Sequence, residues 1–269
     1  MTDWLEECRG AVRELRGVFE GLPARADREA ILRAGMGGDD TTAIDDAAER
    51  VVVERLERLH AAGESFTLVS EELGERRFGG GDARWVVVDP VDGSVNAKRG
   101  IPFFSLSVAV ADGPTMADVE FGYVYDFGSG EEWTAVRGAG ARLNGEPLAP
   151  ELPKDEIEIL SFEATKTASI AERVGAMVGL AERLRIMGSL AITLCHLAAG
   201  RVDAVCSLKG ARSVDIAAAQ LLVRECGLAI DLPEAPPFEA APLDLEGRSR
   251  VVAAASPEVC AKLFRALSM

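Results

Sequence analysis

Positive charge is scarce in this chain. Its 269 residues carry 29 Lys and Arg against 44 Asp and Glu, a formal net charge of −15. A balance of that sign suits solubility and argues against a nucleic-acid backbone or an anionic membrane surface as partner. A small anionic ligand would need a metal ion or a local cluster of Arg and Lys to bind. Histidine is nearly absent: His60 and His196 both fall on helical stretches and read as structural. Aromatic residues make up 6%, which leaves no obvious shelf for a nucleotide base. The five cysteines (Cys8, Cys195, Cys206, Cys226, Cys260) are scattered without CxxC spacing, so buried, reduced thiols are expected instead of disulfides or zinc. No apolar run has the length of a membrane span. The opening MTDWLEECRG is acidic and helical in pattern, unlike a signal peptide. A cytoplasmic protein is expected.

What is present is an ordinary apolar fraction, 48%, in a chain long enough for one large domain or two modest ones. Trp4, Leu5, Cys8, Val12, Leu15, Val18 and Phe19 recur at helical spacing. AGMGGDD (Ala34 to Asp40) reads as a mobile loop, and TTAID starts a second helix, with Thr42 and Asp45 spaced as a capping box. From Phe66 the period shortens: FTLVS, WVVVD, FSLSVAVA, VEFGYVYD and EEWTAV are strands of a largely antiparallel sheet, with a turn at LNGEP. The second half alternates strand and helix through EIEILS, RLRIM, SLAITLCHLAAG, DAVCSL and SVDIAAAQLLVRECG. A strand at Arg250 to Ala254 and a helix from Pro257 to Leu267 end it, and EAPPFEAAP reads as an exposed loop. The shift near Glu151-Leu152-Pro153 divides an α+β unit, 1–150, from an α/β unit, 151–269.

The stretch WVVVDPVDGSVN carries the chemistry. Four strand residues run into Asp89 and Asp92, and a buried carboxylate costs several kcal/mol unless something compensates it. Pro90 fixes φ and Gly93 permits a tight bend, which brings both carboxylates and the Val91 carbonyl to one side. Ser94 then opens a short helical turn whose N–H groups, with Gly93, form an anion nest. Hard oxygen ligands beside such a nest suit Mg²⁺ and a phosphate. A simple cap at Asp92 or an arginine partner for Asp89 would also explain the acids. A Ca²⁺ loop would not, because the twelfth residue is Gly100 and the acids do not alternate. Two more acid sources stand out: Glu71 and Glu72 in SEELG directly after a strand, and Asp215 in RSVDIAAAQ, where Ser213 as N-cap puts Asp215 in the first helical turn.

In order, TTAIDDAAE, SEELG, WVVVDPVDGSVNAKRGIPFFSLSVAV, RIMGSLAIT and SVDIAAAQLLVRECG resemble the signatures of the inositol monophosphatase family of Mg²⁺-dependent sugar phosphatases, and span Thr41 to Gly227. NAKRGIPFFSLSVAV points to the archaeal branch that hydrolyses inositol 1-phosphate and fructose 1,6-bisphosphate. The resemblance implies a five-layered αβαβα sandwich, an α+β N-terminal half joined to an α/β C-terminal half, and usually a homodimer. It implies two to three Mg²⁺ per site, or Mn²⁺ in their place. The first would be held by Glu71, Asp89 and the Val91 carbonyl, and the second by Asp89, Asp92 and Asp215. A third, weaker ion would sit near Glu71 with Asp39 and Asp40. Asp45 and Ser94 match the pair that orients the attacking water, which Glu71 helps deprotonate. Asp92, Gly93 and Ser94 would contact the phosphate.

For the rest of the substrate, the resemblance implies Arg185 as a contact, Leu190 through its backbone, and either Lys209 or Arg212 as a further cation. The chain departs from the animal enzymes at CSLKG, which lacks their ring-binding glutamate, and from the usual family pattern at Ala219 and CGL in the following helix and at Val95. The function implied is gluconeogenic hydrolysis of a sugar or polyol phosphate. A phosphatase for NADP⁺ or 3′-phosphoadenosine 5′-phosphate and a non-catalytic phosphometabolite-binding regulator are the alternatives.

Overall fold

The structure is a computed structural model and describes residues 2–34, 40–80, 84–151, 156–163 and 166–268. Helix α1 (Trp4–Gly21) starts where Asp3 accepts the Glu6 N–H, and buries Trp4, Cys8, Val12 and Leu15. A short α2 (Arg25–Glu29) and a two-stranded ribbon, β1 (Ile31–Ala34) with β2 (Asp40–Thr42), precede α3 (Ala43–Ala61). The sequence pattern showed neither α2 nor the ribbon, and Asp40, expected in a loop, belongs to β2. The remainder of that loop, 35–39, lies outside the described residues.

Eight strands follow as one sheet: β3 (Phe66–Ser70), β4 (Gly74–Phe78), β5 (Arg84–Asp92), β6 (Ser105–Ala111), β7 (Val119–Asp126), β8 (Glu132–Val136), β9 (Gly140–Leu143) and β10 (Glu146–Pro147). Their spatial order is β10-β9-β8-β7-β6-β5-β3-β4, and only β3 and β5 run parallel. The second half builds a five-stranded sheet from β11 (Ile159–Glu163), β12 (Arg183–Arg185), β13 (Ala204–Ser207), β14 (Ala229–Asp231) and β15 (Val252–Ala254), ordered β12-β11-β13-β15-β14. Its helices are α5 (Thr167–Arg173), α6 (Leu190–Ala198), α7 (Ser213–Glu225) and α8 (Pro257–Ser268).

Strand parity sorts these elements into five layers. Val86, Val88 and Val108 point into a core with α1 and α3, whereas Val87 and Ala109 point the other way, onto α6 and α7. Val205 and Ala253 of the second sheet meet the same two helices, while Ala204, Cys206 and Val252 face α8. Helices α6 and α7 are therefore sandwiched between sheets and are buried nearly all round, which explains their weakly amphipathic sequences. The approach of α7 to the large sheet needs Gly122 on β7, where a Cβ would stand 2.6 Å from the Ala218 carbonyl oxygen. The strand thus supplies the small residue, and the helix keeps Ala219 buried. One sequence reading fails here. EAPPFEAAP is not simply exposed: Phe238 and Ala241 are buried in the central core, with Arg224 lying over the Phe238 ring. Among the described residues no helix is long and apolar enough to cross a membrane.

Candidate active site

The site lies where β3 and β5 of the large sheet end against the N-termini of α6 and α7. On β5 the pairing to β6 slips, with Asp89 opposite Ser107 but Asp92 opposite Ser105. That bulge has a geometric consequence. Residues three apart on a regular strand face opposite ways, and the extra residue turns Asp89 and Asp92 to the same face, toward α6 and α7. Val91 points into the opposite core. Gly93, at φ +95, then reverses the chain into α4 (Ser94–Arg99), and a Cβ there would press on Phe103 O and Gly188 O at 3.1 and 3.2 Å.

Glu71 directly follows β3, and Asp215 sits in the first turn of α7. Oxygens of Glu71, Asp89 and Asp215 lie within 4.8 Å of one another. Asp89 is 2% exposed and its Oδ1 accepts from Val91 N at 2.9 Å. Burial, then the charges of Glu71, Asp92 and Asp215, push its carboxyl well above the usual range, against the pull of Arg212. Burial likewise lifts Glu71 to about 7, although Arg212 opposes the shift. Asp92 also rises to about 7 through burial, opposed by the Ser189 hydrogen bond. Three carboxyls so displaced amount to a local deficit of positive charge, and all-oxygen donors make it a fit for a hard divalent cation.

Arg212 answers part of that deficit. Its Nη2 donates to Asp215 Oδ1 at 2.8 Å, its backbone N–H to Asp215 Oδ2 at 2.7 Å, and its Nη1 stands 2.5 Å from Glu71 Oε1. That last contact lacks hydrogen-bond geometry, so Nη1 is buried with charge compensation but no directed bond. Arg212, not Ser213, occupies the N-cap position of α7. Ser213 is the first helical residue, and its hydroxyl donates instead to Asp244 O at 2.6 Å.

Asp92 is held by α6. Its Oδ2 accepts from Ser189 Oγ at 2.5 Å and Ala191 N at 2.8 Å. Ser189 caps α6, and Leu190 is its first residue. The corner before it hangs on Glu163, a buried acid at the end of β11. The Glu163 carboxylate accepts from Gly188 N (2.9 Å), Met187 N (3.3 Å), Ser161 Oγ (2.9 Å) and Thr193 Oγ1 (3.0 Å). Sequence reasoning passed over Glu163 and Ser189. An acid closing the apolar run ILSF carries the same signal as Asp89 and could have been read the same way.

Asp45 is buried at the start of α3. Its Oδ2 accepts from Thr42 N (3.1 Å) and Thr42 Oγ1 (2.5 Å), as the capping-box spacing predicts, and its Oδ1 is buried without a hydrogen-bond partner. Ser94 donates to the Val91 carbonyl at 3.0 Å, so these two residues are not joined to each other directly. Glu72 takes the Thr41 hydroxyl instead of joining the cluster. Asp40 is exposed, and Asp39 lies outside the described residues. Arg185 is exposed at the end of β12 with Nη1 on Leu184 O, and Lys209 is exposed after β13. His60 packs on Phe78 and His196 between Phe103 and Trp133, and neither belongs to the carboxylate cluster.

Fold and site together define a layered α/β protein with carboxylates converging at a sheet end. The chain belongs to the inositol monophosphatase family, whose signature matches residues 6–268. The fructose-1,6-bisphosphatase/inositol-1-monophosphatase of Methanothermobacter thermautotrophicus is 33% identical over 258 residues, covering 92% of this chain and 90% of that protein. The Nus factor SuhB of Escherichia coli is 35% identical over 206 residues, 74% of each chain. A solved inositol monophosphatase-fructose 1,6 bisphosphatase, the MJ0109 gene product, superposes with a TM-score of 0.84 at 25% identity, covering 98% of this chain and 100% of its own.

Proposed function

We propose that the protein is a Mg²⁺-dependent phosphate monoester hydrolase acting on fructose 1,6-bisphosphate and inositol 1-phosphate, the substrates for which its archaeal relatives are named. The observation that carries this reading is the convergence of Glu71, Asp89 and Asp215 within 4.8 Å, with Asp92 fixed beside them by α6. Glu71, Asp89 and the Val91 carbonyl would hold one cation, and Asp89, Asp92 and Asp215 a second. Bound there, Mg²⁺ or Mn²⁺ would supply Lewis acidity, acidifying water and screening the phosphate dianion.

The chain's own groups do the remainder. The first N–H groups of α4, at Ser94 and Val95, have no partner within the helix and offer themselves to phosphate oxygens. Asp45 Oδ1, buried and without a partner, is an acceptor to spare for the attacking water or for the Ser94 hydroxyl. Glu71, beside the cation it would help hold, is the proposed proton acceptor. No Cys, His or Ser nucleophile is needed. Leu190, on the Glu163-anchored corner, offers a backbone contact to the sugar, while Arg185 and Lys209 reach a second anionic group.

The test is initial-rate phosphate release with fructose 1,6-bisphosphate, inositol 1-phosphate and NADP⁺, with Mg²⁺ and with EDTA. Fastest turnover of the bisphosphate, abolished by EDTA and with KM raised about tenfold by Arg185→Ala, supports the assignment. Metal-independent turnover would refute it, and a preference for NADP⁺ would refute the substrate. On the same reading the protein is a cytoplasmic homodimer serving gluconeogenesis, and sedimentation at twice 28.6 kDa checks the dimer.

A further inference from the structure

We infer that Arg212 is an internal counter-ion of the converging carboxylates that competes with the metal, its guanidinium yielding Glu71 and Asp215 as the cation enters. The inference rests on the proposed metal site and extends it to a residue outside the ligand set. Arg212 is 7% exposed and reaches two of the three converging acids, at 2.5 Å from Glu71 Oε1 and 2.8 Å from Asp215 Oδ1. Burial alone would weaken its charge, but Asp215 and Glu71 outweigh that and hold the guanidinium firmly protonated. It therefore supplies one full positive charge where a buried carboxylate, Asp89, and two half-buried ones, Glu71 and Asp215, converge.

The fit is electrostatic, not complete. Nη1 makes no directed hydrogen bond, and Asp89 is reached only through the field of the guanidinium. A divalent ion offers twice the charge in a much smaller volume and can accept oxygens from all three acids at once. While Arg212 holds Glu71 Oε1 and Asp215 Oδ1, an ion drawing on those carboxylates meets a guanidinium charge at close range. The two cations compete. Chain connectivity makes the exchange local: Arg212 is the N-cap residue of the helix whose first turn carries Asp215, so its backbone N–H can keep its 2.7 Å bond to Asp215 Oδ2 while only the side chain swings. An internal cation of this kind screens the carboxylates from one another and weakens metal affinity, since an entering ion must compete with it.

Mn²⁺ titration followed by electron paramagnetic resonance, with thermal unfolding in EDTA, tests the exchange on wild type, Arg212→Gln, Arg212→Lys and Asp89→Asn. The expected result for Arg212→Gln is Mn²⁺ affinity at least tenfold tighter and a lower unfolding temperature in EDTA. Arg212→Lys, which keeps the charge but cannot bridge two carboxylates as a planar fork, should fall between wild type and Gln on both counts. It also covers the case in which Arg212→Gln fails to fold without metal. Unchanged or weaker Mn²⁺ affinity in both Arg212 variants, while Asp89→Asn loses binding, would overturn the exchange and leave the metal site standing. Absence of Mn²⁺ binding in wild type would overturn both.

Discussion

Replacing Asp89 by Asn should stabilise the metal-free protein while destroying its response to metal. The amide keeps Oδ1 as acceptor for the Val91 N–H, so the bulge in β5 survives. What disappears is the most buried ionisable carboxyl of a cluster whose oxygens lie no more than 4.8 Å apart. At an effective dielectric constant of about 20, one like charge 4.8 Å away repels an ionised Asp89 by about 3.5 kcal/mol; Glu71, Asp92 and Asp215 all act in that sense, and Arg212 opposes them. A net gain of about 3 kcal/mol remains, or about 6 °C in unfolding temperature for a chain of this size. The sign with pH follows from linkage. Asp89 has its carboxyl raised in the fold, so the folded protein holds a proton that the unfolded chain has released, and wild-type stability falls as pH climbs above the ordinary aspartate value. The advantage of Asn must therefore be absent near pH 4 and grow toward pH 8. Calorimetry in EDTA at the two pH values, repeated with Mg²⁺, checks all of this. Wild type should gain stability with Mg²⁺ and the variant should not, and phosphate release by the variant should fall to background. A variant less stable than wild type in EDTA at pH 8 would refute the electrostatic account of the site.

Three further outcomes follow from neighbouring carboxylates. Burial pushes Glu49 up to about 7 from its ordinary 4.5, and one of its oxygens is buried without a partner. The cost of its charge, about 3 kcal/mol, builds between pH 4.5 and 7, so Glu49→Gln should raise the unfolding temperature at pH 8 by about 6 °C and leave it unchanged at pH 4.5. Glu163→Gln puts an NH₂ donor among four donors and should cost about 2 kcal/mol in a urea titration, with kcat/KM lowered about tenfold as the Gly188 to Ala191 corner loosens. Ser189→Ala removes both the cap of α6 and a 2.5 Å bond to Asp92, and should lower kcat more than it raises KM for the sugar phosphate.

The parts of this site that could be read from sequence are those whose geometry is local. Asp89, Pro90, Asp92 and Gly93 specify their own bulge and turn, and Asp215 follows an N-cap position whatever residue fills it. Placing Ser213 at that cap was an error of one residue with a physical cause: the Ser213 hydroxyl found Asp244 O, a partner from a loop the helix pattern does not contain. Phe238 was misread for a related reason, since a Pro-rich run looks solvated until the ring's place in the core between the sheets is known. Arg212 is the instructive case. From sequence it was a cation near the active site, equally suited to substrate phosphate or to structural pairing, with Lys209 as its rival. Its choice depends on where the end of β3 sits relative to the start of α7, a distance set by the packing of two sheets on α6 and α7. In the fold that distance lets the guanidinium bridge Glu71 and Asp215, while Lys209 stays exposed at the rim. A guanidinium holding metal ligands is not placed to hold a sugar phosphate as well, which leaves Arg185 and Lys209 as the cations proposed for the distal anion. Fructose 1,6-bisphosphate should accordingly lose more affinity on Lys209→Ala than inositol 1-phosphate does, and equal losses for the two esters would show that Lys209 does not reach a second phosphate.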